Sequence, residues 1–561
     1  MPSRVRAGLL LPFLVCLASS LFWRSASGGT WTRLNHSPGG SINVLLLLSD
    51  GTVLAQNTDS IRWYHLTPDI HGSYINGTWS LFSSMHYTRL YFSSDVLTNG
   101  WVLVAGGEYG TGTTNSELFD PVHNSWTVIP VAPGIITTNN SVASGGENTA
   151  GFDDSISKIL PGGNVLVAPV YPATYGYTAI YNAASTNWSI GPKLFRGSDQ
   201  DEASWVKLPD DSVLTVDPYG SSSERFIPSL NKWVNDSTVP VALYSSGYEL
   251  GAGFLLPNGQ AFYLGGNGNT ALYTPTGTTS PGTWTAGPVI PDGYGIQDGP
   301  AAMMVNGKIL CAVGSSSTYD APTYFFEYDP VANSFTQVNA YSGAYDNVPP
   351  YTGTMLDLPD GSVLYAHQGS DLYVYQTVGA PLVAGQPAIT SISDNADGSF
   401  TLSGTLLNGI SEGAAYGDDA QMNSNYPLVR LTNSVGNVYY ERTYNWNSTS
   451  VMTGNQILTT QFTNSAGLPP GTYSLVVVAN GISSAPVSFT LPGPPMGFAQ
   501  SGESLVLTWP TNFTGFILQS TTNLTAPVIW TTVTASPAIV NGQYAVTNQE
   551  TNVASYYRLE N

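Results

Sequence analysis

Basic and crosslinking residues are scarce in this sequence. Of 561 residues, 16 are Lys or Arg, 6 are His and 2 are Cys. Nucleic-acid binding rests on clustered cations, so a chain of net charge −21 with so few of them excludes a phosphate backbone as partner. Cys16 lies in an N-terminal apolar run, which leaves Cys311 alone beyond it and excludes an intrachain disulfide. Cys311 sits in Lys308-Ile309-Leu310-Cys311-Ala312-Val313, the setting of a buried core thiol. Amphipathic helical periodicity is absent, which excludes a helical bundle. The one long apolar run, Ala7 to Trp23, follows Arg4 and Arg6 and precedes Ser25-Ala26-Ser27-Gly28. That is the pattern of a secretory signal over residues 1–28, and it is short for a spanning helix. The expectation is a secreted or cell-surface protein, monomeric, and not integral to a membrane once the signal is removed.

What the chain has in abundance is Gly, Ser, Thr, Asn and Tyr, the composition of a β-rich protein with many turns. A turn residue closes a short apolar strand at Gly51, Gly100, Gly163, Asp211, Gly259, Gly307 and Gly361. Spacings are near 48, except for 63 before the third turn and 54 before the last. Each unit reads as four strands. A third strand ends in an aromatic, as in Phe119-Asp120-Pro121 and Tyr328-Asp329-Pro330, and a fourth carries Trp79, Trp126, Trp188, Trp233, Trp284 or Phe335. Thr30-Trp31-Thr32-Arg33-Leu34 fits the missing fourth strand, so the N-terminus is expected to complete the last sheet and close a ring. Repeat length and aromatic spacing resemble kelch-type β-propellers, here with seven blades over residues 29–380.

After Tyr375 the repeat stops. Residues 386–492 show strands of another kind, such as Gly471-Thr472-Tyr473-Ser474-Leu475-Val476-Val477-Val478, and predict an immunoglobulin-like β-sandwich. Pro492-Gly493-Pro494-Pro495 marks a linker to a short, β-rich, fibronectin-like module over 496–561. The fold class is therefore all-β.

Equal offsets from a repeated turn converge on one axis. Nine or ten residues before each turn lie Ser41/Ile42, Leu90/Tyr91, Asp153/Asp154, Asp201/Glu202, Glu249/Leu250, Gln297/Asp298 and Tyr351/Thr352. Four consecutive units place a carboxylate there, and tyrosines flank it. Asp154, Asp201, Glu202, Glu249, Asp298, Tyr91 and Tyr351 are thus the candidate ligand-binding residues at the propeller mouth.

A seven-bladed kelch-like propeller followed by an immunoglobulin-like domain resembles galactose oxidase and the related copper-radical oxidases, over residues 30–491. The segment Tyr351-Thr352-Gly353-Thr354-Met355-Leu356-Asp357-Leu358-Pro359-Asp360-Gly361 is especially similar. The resemblance puts Tyr91 on the family's cross-linked tyrosine and Tyr351 on its axial tyrosine. It puts Ile42 where a cysteine, Thr352 where a histidine, and Tyr444 where a second histidine would be required. Copper favours imidazole and thiolate, whereas oxygen-only sites suit Ca²⁺. The expectation is a binding protein for a glycan or small cationic ligand, without copper and with calcium as the ion the acidic ring suits. Alternatives are a glycosidase using a pair from Asp154, Glu202, Glu249 and Asp298, a divergent carbohydrate or alcohol oxidase, or an adhesive surface module. Two further segments are polar: the Gly-rich stretch 144–151, suited to covering the channel or equally to a simple surface insertion, and Tyr416-Gly417-Asp418-Asp419-Ala420-Gln421, suited to docking against the propeller or to Ca²⁺.

Overall fold

The computed structural model describes residues 28–560 apart from 110, 113, 133, 137–150, 198–199, 418, 465–467, 503, 512, 514 and 550–553. All but Gly28 of the expected signal, 1–28, and most of the Gly-rich stretch 144–151 lie outside the described residues. Among those described, helix is confined to four three-residue 3₁₀ turns, and no helix is long and apolar enough to cross a membrane.

The repeated turn builds the fold. Each turn residue lies in left-handed backbone, from φ 76° at Gly51 to 89° at Gly361, with Asp211 at 65°. Each donates its N–H to the carbonyl three residues earlier, as Gly51 does to Leu48 at 2.9 Å and Gly307 to Met304 at 2.8 Å. This is a type I turn closed by a left-handed residue, which is why glycine recurs there. The preceding Asp or Asn accepts from the residue after the turn, as Asp50 Oδ1 does from Thr52 N and Asn306 Oδ1 from Lys308 N. That explains the recurring Asp-Gly and Asn-Gly pairs.

Seven sheets each contain a four-stranded antiparallel meander. Their first strands are Ile42–Leu47, Ser93–Val96, Ser157–Ile159, Trp205–Lys207, Leu250–Leu255, Ala301–Met303 and Thr354–Asp357. Successive first strands touch through most of a circuit, and Thr354–Asp357 touches Ile42–Leu47. Thr30–Arg33 pairs with Tyr373–Gln376, Trp31 opposite Tyr375, and completes the last sheet as the aromatic pattern predicts. The architecture is all-β and consistent with a β-propeller. The fourth-strand tryptophans tie units together: Trp126 Nε1 donates to Ser83 O at 2.9 Å and Trp188 Nε1 to Ser116 Oγ at 2.8 Å.

Beyond residue 388 two antiparallel sheets share a core that includes Phe400, Val429, Leu458, Leu475 and Phe489. A hairpin, Gly413–Ala415 and Gln421–Asn423, leaves this core and joins the repeat. Gly413–Ala415 pairs with Ala301–Met303, and Ala420 bridges Ser94. The docking role suited to 416–421 is thus where the described residues of that segment sit. The last unit, from Gly497, forms two small sheets around Leu507, Trp509, Leu518 and Val546.

The hairpin meets buried polar groups. Ser424 Oγ donates to Asp357 Oδ2 at 3.3 Å, and burial pushes the Asp357 carboxyl up to about 7 while this bond opposes the shift. A carboxyl that keeps its proton when folded but ionises near 4 when unfolded takes up protons on folding. Its contribution is fully present below about pH 4 and is lost as pH rises through about 7. Asp357→Asn removes this loss. Its stability relative to the parent should improve by about 1–2 kcal/mol between pH 5 and pH 7, read from denaturant melts at both values. An unchanged difference would mean Asp357 is already ionised.

Candidate functional site

Six of the seven ring residues read from sequence line one cavity of 580 Å³: Tyr91, Asp154, Glu202, Glu249, Asp298 and Tyr351. Asp201 does not line it but stands beside it, with an oxygen within 4.8 Å of one from Asp154 and one from Glu202. Leu90, Glu108, Tyr109, Tyr319, Tyr416 and Asp419 complete the wall.

The backbone at the ring repeats too. Tyr91, Asp154, Glu202 and Asp298, each nine residues before its turn, have φ of 45°, 40°, 56° and 42°. Left-handed backbone is strained for a Tyr or Glu, at about 1–3 kcal/mol, and such strain gathers at functional sites. Each lies just ahead of a first strand, where the break in alternation sends its side chain to the mouth instead of a sheet face.

Tyrosines order the wall. Gln368 Nε2 donates to Tyr91 Oη at 2.9 Å, and Tyr91 stacks on Tyr416 with ring centroids 5.8 Å apart. Tyr416 Oη donates to the Tyr351 carbonyl at 2.9 Å. Tyr319 Oη donates to Glu249 Oε1, and its ring meets Tyr351 edge-on at 6.4 Å. Burial raises the Tyr91, Tyr109 and Tyr319 phenols, and nearby carboxylates add to the shift, Glu108 for Tyr109 and Glu249 for Tyr319. These hydroxyls therefore stay protonated and can donate, while the carboxylates accept.

The positions where the oxidase resemblance departs lie elsewhere. Ile42 is fully buried in the core, and Thr352 Oγ1 is turned to the Pro349 carbonyl at 2.8 Å. Tyr444 is not brought to the cavity. Its strand, Thr443–Tyr444, sits in a sandwich sheet against Leu458–Phe462, with the Arg442 guanidinium 5.0 Å from its ring. The sandwich residues that do reach the cavity are Tyr416 and Asp419, because the hairpin, not that strand, enters the channel. Among the described residues no lining residue is a His or Cys, so the described wall offers oxygen donors, whereas copper favours imidazole and thiolate.

Sequence reasoning missed Glu108, Tyr109 and Tyr319, which lie eight, nine and twelve residues after their turns. A signal was available: in a hairpin the residues before the first strand and after the second share one end, as Ser93 opposite Ala105 makes plain.

No protein-family model matches the sequence, and no curated protein matches it. Similar solved structures include a fungal alcohol oxidase of the AA5 family in complex with copper, at 14% identity over 83% of this chain and 99% of that one, TM-score 0.48. Another is virginiamycin B lyase from Staphylococcus aureus, at 8% identity over 62% of this chain and 99% of that one, TM-score 0.42. A third is YCF48 bound to D1 peptide, at 14% identity over 63% and 97%, TM-score 0.41. At such identities and scores, function has to be argued from the cavity's own residues.

Proposed function

We propose that this chain is a secreted or cell-surface binding protein built on the frame that the copper-radical oxidases use, without their copper chemistry. The seven sheets are the blades of a kelch-type propeller over 29–380, followed by an immunoglobulin-like domain over 386–492 and a small module over 496–561. The cavity takes a polyhydroxylated ligand, neutral or cationic, such as a glycan. One observation carries the reading: five tyrosines and six carboxylates from different units converge on one 580 Å³ cavity. Tyrosine faces suit sugar rings, phenols donate, and carboxylates accept from hydroxyl or ammonium groups.

Titration calorimetry of the full secreted chain against neutral, amino-bearing and uronic oligosaccharides, each with and without EDTA, tests it. Neutral or amino sugars should bind and uronic ones should not. Tyr351→Ala should weaken binding by up to about tenfold, the loss of one aromatic wall. Absence of binding throughout, or preference for the acidic sugars, sinks the reading. Peroxide release from alcohols by the copper-loaded chain would restore the oxidase alternative.

A further inference from the structure

We infer that the cavity contains a divalent-cation site, for Ca²⁺, formed by Glu202, Glu249 and Asp298. The inference shares the cavity with the proposed function and stands without it. Each of the three offers a carboxylate oxygen, and these oxygens all lie within 4.8 Å of one another. Oxygen ligands surround Ca²⁺ at about 2.3–2.6 Å, so two on opposite sides of the ion are about 4.8 Å apart. Three oxygens gathered this closely can reach one Ca²⁺ with small side-chain rotations. Mg²⁺ needs near-ideal octahedral geometry at about 2.0–2.1 Å and dehydrates reluctantly, so carboxylates from three separate units suit it less than the more adaptable Ca²⁺.

Proximity of acidic groups alone would not establish a site. Glu249 supplies the second observation. Its residue is 5% exposed, Oε1 accepts from Tyr319, and Oε2 is buried with no hydrogen-bond partner. A carboxylate oxygen withdrawn from water and given no donor is costly, unless a cation meets it. Among the described residues the lining contains no Lys or Arg to supply that cation. The three carboxylates come from consecutive or next-but-one sheets, so an ion here would also cross-link the fourth, fifth and sixth first strands at their heads. The open side of the cavity leaves its remaining positions to water or to ligand hydroxyls.

The test is calorimetry of the EDTA-treated, full secreted chain with CaCl₂, then MgCl₂. Ca²⁺ should bind with a Kd on the order of 10⁻⁵–10⁻⁴ M, and Mg²⁺ at least about tenfold more weakly. Glu249→Gln and Asp298→Asn should each weaken Ca²⁺ about 10–100-fold, while Asp397→Asn, on an exposed turn outside the cavity, should change it less than about threefold. Circular dichroism of each metal-free variant, matching the parent, separates loss of ligand from loss of fold. No heat with 1 mM CaCl₂ (about tenfold above the weakest expected Kd) overturns the site. So does Ca²⁺ binding that both substitutions leave unchanged. Neither result depends on whether a sugar binds.

Discussion

Glu412→Gln should destabilise the chain by about 3–5 kcal/mol at pH 7, the cost of leaving a buried ion pair with one partner missing. Glu412 precedes the hairpin that enters the channel. It faces Lys158 Nζ at 2.8 Å and Lys207 Nζ at 3.8 Å, whose side chains are 3% and 1% exposed. Lys158 also donates to Gln421 Oε1 at 2.5 Å, and Lys207 to the Thr449 carbonyl at 3.1 Å. Burial lowers the Lys207 ammonium and Glu412 opposes that shift. For Glu412 itself burial works upward, but the two lysines outweigh it and hold the carboxyl below its usual range. A depressed carboxyl contributes stability above its unfolded value, near 4.3, and loses it as pH falls through the folded one. The parent–variant gap should therefore be widest at neutral pH and close in acid. A cooperative unit of about 460 residues unfolds with an entropy of about 1 kcal/mol/K, so the transition should fall by about 3–5 °C. Replacing all three by Met and Leu should restore most of the loss, since packed apolar groups leave no charge behind. A shift below about 1 °C in calorimetry would show that water, not Glu412, compensates the lysines.

The turn and its spacing were legible because they are local. An Asp-Gly or Asn-Gly pair encodes its own left-handed backbone and side-chain cap, as Asp50 and Gly51 do, and needs no distant partner. Once seven turns are in register, the repeat itself carries residues −9 and −10 to one mouth, and six of seven candidates lie there. Tyr416 and Asp419 were harder. Their place depends on a hairpin leaving one core to pair with another, Ala301 opposite Ala415, and no periodicity encodes that. Tyr444 was placed by alignment with a family strand, whereas its own segment stays in the sandwich sheet. Nothing local in the sequence marks Lys158 and Lys207 as buried, since a lysine in a strand ordinarily faces water. They are buried because the channel is filled from the other domain, a tertiary fact.

Arg89→Met should cost a similar amount, about 3–5 kcal/mol, and should disturb the tyrosine wall as well. Arg89 is fully buried. One guanidinium nitrogen donates to the Gly106 carbonyl at 2.5 Å, and the other to Asn115 O at 3.1 Å and Glu117 Oε1 at 3.2 Å. Its own carbonyl accepts from Gln56 Nε2 at 2.9 Å. Burial lowers the Arg89 guanidinium, but Glu117 opposes the shift, and the charge is retained. The side chain thus ties the segment leading to Leu90 and Tyr91 to the segment leading to Glu108 and Tyr109, two runs of the cavity wall. Methionine fills the space and leaves the Glu117 carboxylate, whose side chain is 0% exposed, without its arginine. Arg89→Lys should lose less, about 1–2 kcal/mol, because one ammonium cannot span acceptors that a planar fork reaches together. The decisive comparison is Arg89→Met with and without Glu117→Gln in urea melts followed by tryptophan fluorescence. If the cost is the Glu117 carboxylate left with His86 and the backbone N–H groups of His86 and Tyr87 but without its arginine, the double variant should recover about 1–3 kcal/mol of what the single one loses. If the double variant is no more stable, the loss comes from the carbonyls of Gly106 and Asn115, and the ion pair is not what holds this wall.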